Sequence, residues 1–217
     1  MSLKDKEGFP KERILSEAEA LFAKKGYVAV SVREITKAAG CNLAAVNYHF
    51  GNKRNLYIEV FRSRWVPRAK RMQEHARKSL SAKDSSSPTA EVQALARAFL
   101  EGPLSDRERQ LHFQLMAREL AWPTEAFELV ADQVMRPFLK ELADRLRPVL
   151  PEGLGEEGRL LKVLSVLGMV LYFNFAREAV MRITGREYSA AFKDRLVDHI
   201  IEFSLTGLGA NRNGGLR

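Results

Sequence analysis

Apolar residues recur every three to four positions through most of this chain, and alternating runs of the strand kind are scarce, so the pattern predicts an all-α protein. The first predicted helix spans about Lys11 to Lys25, with Ile14, Leu15, Ala18, Leu21 and Phe22 on one stripe, and Gly26 stops it. The second starts at Ser31. Ser31-Val32-Arg33-Glu34 has the spacing of a capping box, in which the hydroxyl accepts from the Glu34 N–H and the Glu34 carboxylate from the Ser31 N–H. Ile35, Ala38 and Ala39 continue its buried side, and Gly40 ends it. Asn42 caps a third helix, Leu43 to Phe50, held by Val46 and Phe50. Asn52 caps a fourth from Lys53, with Leu56, Tyr57, Val60 and Phe61 inward, and Pro67 is expected to kink or break it.

Longer helices are predicted near 68–80, 90–100, 106–121, 124–146, 159–184 and 189–206, with polar loops at 79–89 and 148–158. The most apolar run, Leu160 to Ala176, carries Lys162 and Asn174 and falls short of a comfortable membrane span. It therefore reads as a buried helix, and no membrane partner is expected. The stretch from 207 to 217 has nothing to bury and is expected to be disordered. The expected organisation is a small domain at 9–55, a larger helical one at 56–206, and that tail.

Two short helices joined by Gly40-Cys41-Asn42 and supported by a preceding helix make a helix-turn-helix. In such a unit the second helix enters the DNA major groove. That gives the solvent side of Leu43 to His49 a purpose. Leu43 lies at the start of this helix. Ala44 and Ala45 are small enough for close approach, and Asn47 can pair with adenine or hold a phosphate. Tyr48 and His49 can donate to phosphates. Lys53 offers charge and free N–H groups at the next helix start, and Ser31 and Val32 offer N–H groups at the second.

Charge supports a polyanionic partner. The 217 residues carry a net charge of +8, and 46% are hydrophobic, enough for a proper core. Residues 1–84 hold 18 Lys and Arg against 9 Asp and Glu, whereas 85–217 hold 17 against 18, so the whole excess lies in the first part. The four histidines, His49, His75, His112 and His199, fall into no metal-ligand spacing with carboxylates. There is no Ser-His-Asp signal, phosphate loop or dinucleotide fingerprint, so no enzyme, metal or cofactor is expected. The single cysteine, Cys41, excludes an internal disulfide, and MSLKDKEG is polar, so a cytoplasmic protein without a secretory signal is expected.

Residues 11–61, with ERILSEAEALFAKKGYVAVSVREITKAAGCNLAAVNYHFGNKRNLYIEVF from Glu12 onward, closely resemble the DNA-binding domain of TetR-family transcriptional regulators. The Phe-x-x-x-Gly-Tyr segment, the capped second helix, Ala-Ala-Gly and Tyr-His-Phe-x-x-Lys carry the resemblance. Most of the family has a tyrosine for phosphate contact where this chain has Asn47, which favours base contact there. The family usually has a small apolar residue at the position of Cys41, which therefore reads as buried filler. Residues 116–137, MARELAWPTEAFELVADQVMRP, resemble the C-terminal domain of the CecR branch.

A single helix-turn-helix makes few phosphate contacts, and dimers join two half-sites about one turn apart. The last two helices offer apolar bands for a homodimer interface, represented by Leu164, Gly168, Leu171, Phe175, Val197, Ile200 and Ile201. The resemblance implies the same, together with a small-molecule effector of unassigned identity held by the middle helices. Trp65, Phe99, His112, Phe113, Met116, Trp122, Phe127, Asn174 and Arg177 are candidates for its pocket, Arg177 alternatively pairing with Glu119 or Glu178. The expected function is a repressor released from a palindromic DNA operator by that effector. The alternatives are an activator and a non-specific architectural DNA binder.

Overall fold

The computed structural model describes residues 3–81 and 87–209, and all regular elements among these are helical. The helices are α1 (Leu3–Lys25), α2 (Val32–Ala39), α3 (Leu43–Phe50), α4 (Lys53–Val60), α5 (Val66–Ser81), α6 (Pro88–Leu100), α7 (Asp106–Ala121), α8 (Glu125–Val130), α9 (Arg136–Leu146), α10 (Glu156–Phe175), α11 (Arg177–Thr184) and α12 (Ala190–Leu208). By packing, the chain forms two units: residues 1–69 with 105–133, and residues 70–104 with 134–217. The sequence placed the divide at 55/56. The packing places it within α5 instead, because α7 and α8 join the N-terminal helices rather than their sequence neighbours.

In the N-terminal unit α1 packs against α2, α3, α4 and α7. Ile14, Phe22, Ile35, Leu56 and Phe61 are fully buried there, each stabilising the unit by about 1.5–3 kcal/mol. Local chemistry sets the boundaries. Ser31, Asn42 and Asn52 accept from the N–H groups of Glu34, Ala45 and Asn55 and cap α2, α3 and α4. The expected box at Ser31 is only half formed: the Glu34 carboxylate accepts from Lys25 Nζ at 2.5 Å. A complete box stands instead at Ser105 and Glu108, at the start of α7. On α2, Thr36 rather than Ala38 joins Ile35 and Ala39 on the buried side.

Pro67 does not break its helix. Residues Phe61–Trp65 are wound one residue wider, as a π-turn, and the Val66 N–H donates to the Phe61 carbonyl. The second π-turn, Ala131–Met135, likewise ends two residues before a proline, Pro137. A proline lacks an N–H and its ring crowds the carbonyl four residues back, so a wider turn relieves the clash while the helix continues.

In the C-terminal unit α12 packs on α6 and α10, and α10 on α6 and α9. Arg145 bridges Glu91 and Glu141, and Arg77 donates to Glu141. The long apolar helix expected over 159–184 is broken at Ala176. Tyr188 donates to the Phe173 carbonyl at 2.6 Å, and Arg177 lies over the Tyr188 ring. Nor is α10 buried throughout. Val163, Val166, Leu167 and Val170 face the core, while Leu160, Leu161, Leu164 and Tyr172 are exposed. It is long and apolar enough to cross a membrane by length and composition, but it is one face of a packed helical unit. α12 extends to Leu208 and closes on a left-handed Gly209, past the expected end at 206; the rest of the expected tail and residues 82–86 of the polar loop lie outside the described residues.

His112 is part of the N-terminal core, which makes an acid-sensitive element. Its ring stacks on Trp65 at 4.3 Å, the Trp65 indole N–H donates to the His112 carbonyl, and Nδ1 has no hydrogen bond to the protein. Burial first, then the charges of Arg68 and Arg109, hold its pKa down at about 3 against the usual 6.5. The unfolded chain takes up a proton on this side chain that the folded chain refuses until far lower pH. Stability therefore falls as pH drops through that window, by up to about 1.4 kcal/mol per pH unit from this group. Between about pH 6 and 4, the unfolding free energy of His112→Gln should fall less steeply than that of the wild type. Equal slopes would mean that the imidazole is not held neutral.

Candidate nucleic-acid interface

The helix-turn-helix is closed by backbone chemistry. Gly40 adopts φ +60°, and its N–H and that of Cys41 return to the Lys37 and Thr36 carbonyls. A Cβ at Gly40 would also meet the Arg13 guanidinium at 2.5 Å, a flexible end that can move aside, so the positive φ is what requires glycine. Cys41 is half-exposed, against the expectation of buried filler. Val46 and Phe50 are buried against the bundle. The opposite side of α3 is open: Leu43, Ala44, Asn47 and Tyr48 are exposed, Tyr48 at 76%, while Ala45 and His49 are half-buried. Tyr48 and His49 meet edge to face at 5.0 Å, which fixes their relative orientation.

The cap residues have structural duties as well. Asn42 and Ser31 are exposed, yet their oxygens already serve helix starts, and Val32 is half-buried. On α2, Arg33 and Lys37 are exposed cations one helical turn apart, ahead of the turn into α3. Sequence reasoning did not single them out, although i, i+4 spacing after a cap was the available signal.

Lys53 is tied inward. Its Nζ donates to the Val30 carbonyl at 2.6 Å and the Val28 carbonyl at 3.4 Å, and it sits 4.5 Å from the centre of the Tyr27 ring. Partial burial lowers its pKa. Its geometry is that of a strap holding residues 27–30, the chain leading into α2.

The nine residues named for an effector pocket do not fall in one unit. Trp65, His112, Phe113, Met116, Trp122 and Phe127 belong to the N-terminal unit, and Phe99, Asn174 and Arg177 to the C-terminal one. Trp65, His112, Phe113 and Met116 are packed core, Phe99 is buried in its own unit, Phe127 is half-buried and Trp122 is 75% exposed. Asn174 donates to the Val170 carbonyl. Arg177 pairs with neither expected carboxylate: Glu119 is held by Tyr57 and Thr124, and Glu178 by Arg182.

The seven interface candidates divide in a similar way. Val197 and Ile200 are fully buried within their own unit and cannot lie on an outer face. Leu164 and Gly168 are exposed, and Leu171, Phe175 and Ile201 half-buried. The exposed apolar side of this helix pair is completed by Leu161, Tyr172 and Phe203, which share the same apolar bands. Leu161 and Phe203 also line a groove of about 480 Å³, together with Leu154, Val166, Met169, Leu208 and Lys162.

Residues 14–60 match the family model described as bacterial regulatory proteins of the tetR family, and residues 88–208 match the C-terminal domain of the HTH-type transcriptional dual regulator CecR. The chain is 26% identical over 181 residues to that CecR from Shigella flexneri, covering 81% of this chain and 80% of the relative. Its fold matches a TetR-family transcriptional regulator from Bordetella parapertussis with a TM-score of 0.64 at 17% identity, over 94% of this chain and 98% of that one. It also matches the fatty acid degradation regulator FadR from Bacillus halodurans with a TM-score of 0.60 at 19% identity, over 95% and 99%. At these identities the structural likeness is one of fold. Two family models that together span most of the chain make it a member of the TetR family of DNA-binding transcriptional regulators, not an enzyme, with a C-terminal domain of the CecR type.

Proposed function

We propose that the protein is a homodimeric, sequence-specific repressor that reads a palindromic operator with α3 and leaves it when a small effector binds. The observation that carries the first part is the open face of α3 opposite a fully buried Val46. Asn47 is the specificity residue in this reading: an amide can bond an adenine edge bidentately, a role closed to the tyrosine usual in the family. Ala44 and Ala45 allow close approach. Tyr48, His49, Arg33 and Lys37 meet phosphates, with the N-terminal N–H groups of α2 beside Ser31 and Val32. Asn42 and Leu43 sit at the entry of α3, and Lys53 supports the interface from behind.

Dimerisation through α10 and α12 is supported by the exposed Leu161, Leu164, Tyr172 and Phe203, and by the open space around Gly168, where an added Cβ would meet nothing within 4 Å. Two such helix pairs about a two-fold axis make a four-helix bundle and set the spacing of two reading helices. Effector control rests on family membership. An effector would act by preferring one arrangement of the two heads. A cytoplasmic location follows from the same reading.

Selection of bound duplexes from a random pool tests the reading, with an inverted repeat as the expected product and an unstructured pool as the contrary one. On the selected site, Asn47→Ala should relax the preference at one position per half-site, by about 1–3 kcal/mol of discrimination. Unchanged preference would remove Asn47 from base reading. Phe203→Arg should yield monomers by sedimentation and weaken operator binding on the order of 100-fold or more, as simultaneous engagement of two half-sites is lost. A variant that stays dimeric would place the interface elsewhere.

A further inference from the structure

Between the end of α7 and the start of α8, three consecutive contacts grip the N-terminal helices. Arg118 donates through Nε to the Ala23 carbonyl at 2.9 Å and through Nη2 to the Lys24 carbonyl, capping the C-terminus of α1. A Cβ at Gly26, whose φ is +82°, would press on that guanidinium at 3.1 Å. Glu125 forms a forked pair with Arg54 of α4. Between them Glu119, 1% exposed, accepts from the Tyr57 hydroxyl at 2.5 Å, the Thr124 N–H at 2.9 Å and the Thr124 hydroxyl at 3.0 Å.

Tyr57 leads from that carboxylate towards the interface. Its ring packs on Phe22 and on Tyr27, both at 4.9 Å between centres. Tyr27 carries the Lys53 ammonium on its face, and Lys53 holds the Val30 carbonyl, the last peptide group before the Ser31 cap of α2. A chain of four side chains thus runs from α7 to the first turn of the helix-turn-helix. The links are a hydrogen bond to a carboxylate, a ring contact, a cation over a ring, and hydrogen bonds to the Val30 and Val28 carbonyls. Burial first, then the bond to Glu119, raises the Tyr57 pKa far above its ordinary value, so the hydroxyl remains a donor at any working pH.

We propose that Glu119 is a positioning residue for DNA recognition, which through Tyr57, Tyr27 and Lys53 sets the 26–31 segment and the start of α2 against the operator. The role is unusual because Glu119 and Thr124 belong to the stretch matched by the CecR-type C-terminal domain, whereas Tyr57, Tyr27 and Lys53 belong to the stretch matched by the DNA-binding domain. The part of the chain regarded as the sensor therefore contributes a structural member to the reading head. The inference rests on the reading of α2 and α3 as the DNA-contacting helices.

The test uses the full chain with Tyr57→Phe, Glu119→Gln and both together. Tyr57→Phe keeps the ring contacts and deletes only the hydroxyl. Glu119→Gln would keep an acceptor for Tyr57 but turn a donor amide towards the two Thr124 donors. Operator and random-duplex affinities are measured with amide exchange over residues 26–34. Tyr57→Phe should lower operator affinity by about 5- to 20-fold, a part of the roughly 10- to 150-fold that loss of one hydrogen bond to a charged group can cost, with less than about a twofold change on random DNA and faster exchange in 26–34. The double variant should be no worse than the weaker single one. Equal losses on both DNAs, additive losses, or an unchanged operator affinity would each overturn the proposal. If Glu119→Gln fails to fold, Tyr57→Phe decides alone. Wild-type failure to select an operator would count against the DNA-contact reading, whereas an operator-binding wild type with an indifferent Tyr57→Phe would count against the positioning role.

Discussion

A carboxylate almost wholly out of water is destabilising unless each of its partners is in place, and the N-terminal unit is built around one. Glu119 has its three donors: Tyr57 from α4 and both groups of Thr124, the residue that caps α8. The same side chain therefore closes the α7–α8 corner and holds α4. Without α7, Tyr57 would lose its carboxylate acceptor and Trp65 the His112 ring and carbonyl it packs on, in a bundle whose other helices α2, α3 and α4 are too short to be stable alone.

The two π-turns belong to the same construction. Each lies within a few residues of the point where the chain passes from one packed unit to the other, at 69/70 and 133/134. The first sets Trp65 onto His112 of α7 and leads to Arg68, which is paired with Glu19 of α1 and lies near Glu108 of α7. Pro67 and Pro137 impose the widened turns, so the local backbone rule and the placement of core residues have one cause.

Much of this was legible in the sequence because it is local. Ser31, Asn42, Asn52, Gly26 and Gly40 mark helix ends by chemistry that acts over three or four residues, and Val46 with Phe50 fixes the face of α3 by spacing alone. What escaped was non-local. Nothing near Lys53 reveals that its ammonium finds two carbonyls more than twenty residues back, so it read as a phosphate ligand. Val197 and Ile200 share an apolar band with Phe203, but only packing on α6 and α10 separates the buried members from the exposed one. Glu34 chose Lys25 over the Ser31 N–H, a competition between a charge and a backbone donor that spacing cannot rank. The pocket candidates are divided between two units, and several are packed core, because aromatic content marks a core as readily as a cavity.

The central claim is that α7 and α8 are part of the reading head. Native-state amide exchange on the intact chain tests it most directly, since elements that open together share one opening free energy. The slowest amides of α4 and of α7 should then report the same opening free energy and the same dependence on denaturant. Lower protection of α2, α3 and α4 with α7 still closed would show a head that folds and opens by itself, and would contradict the claim.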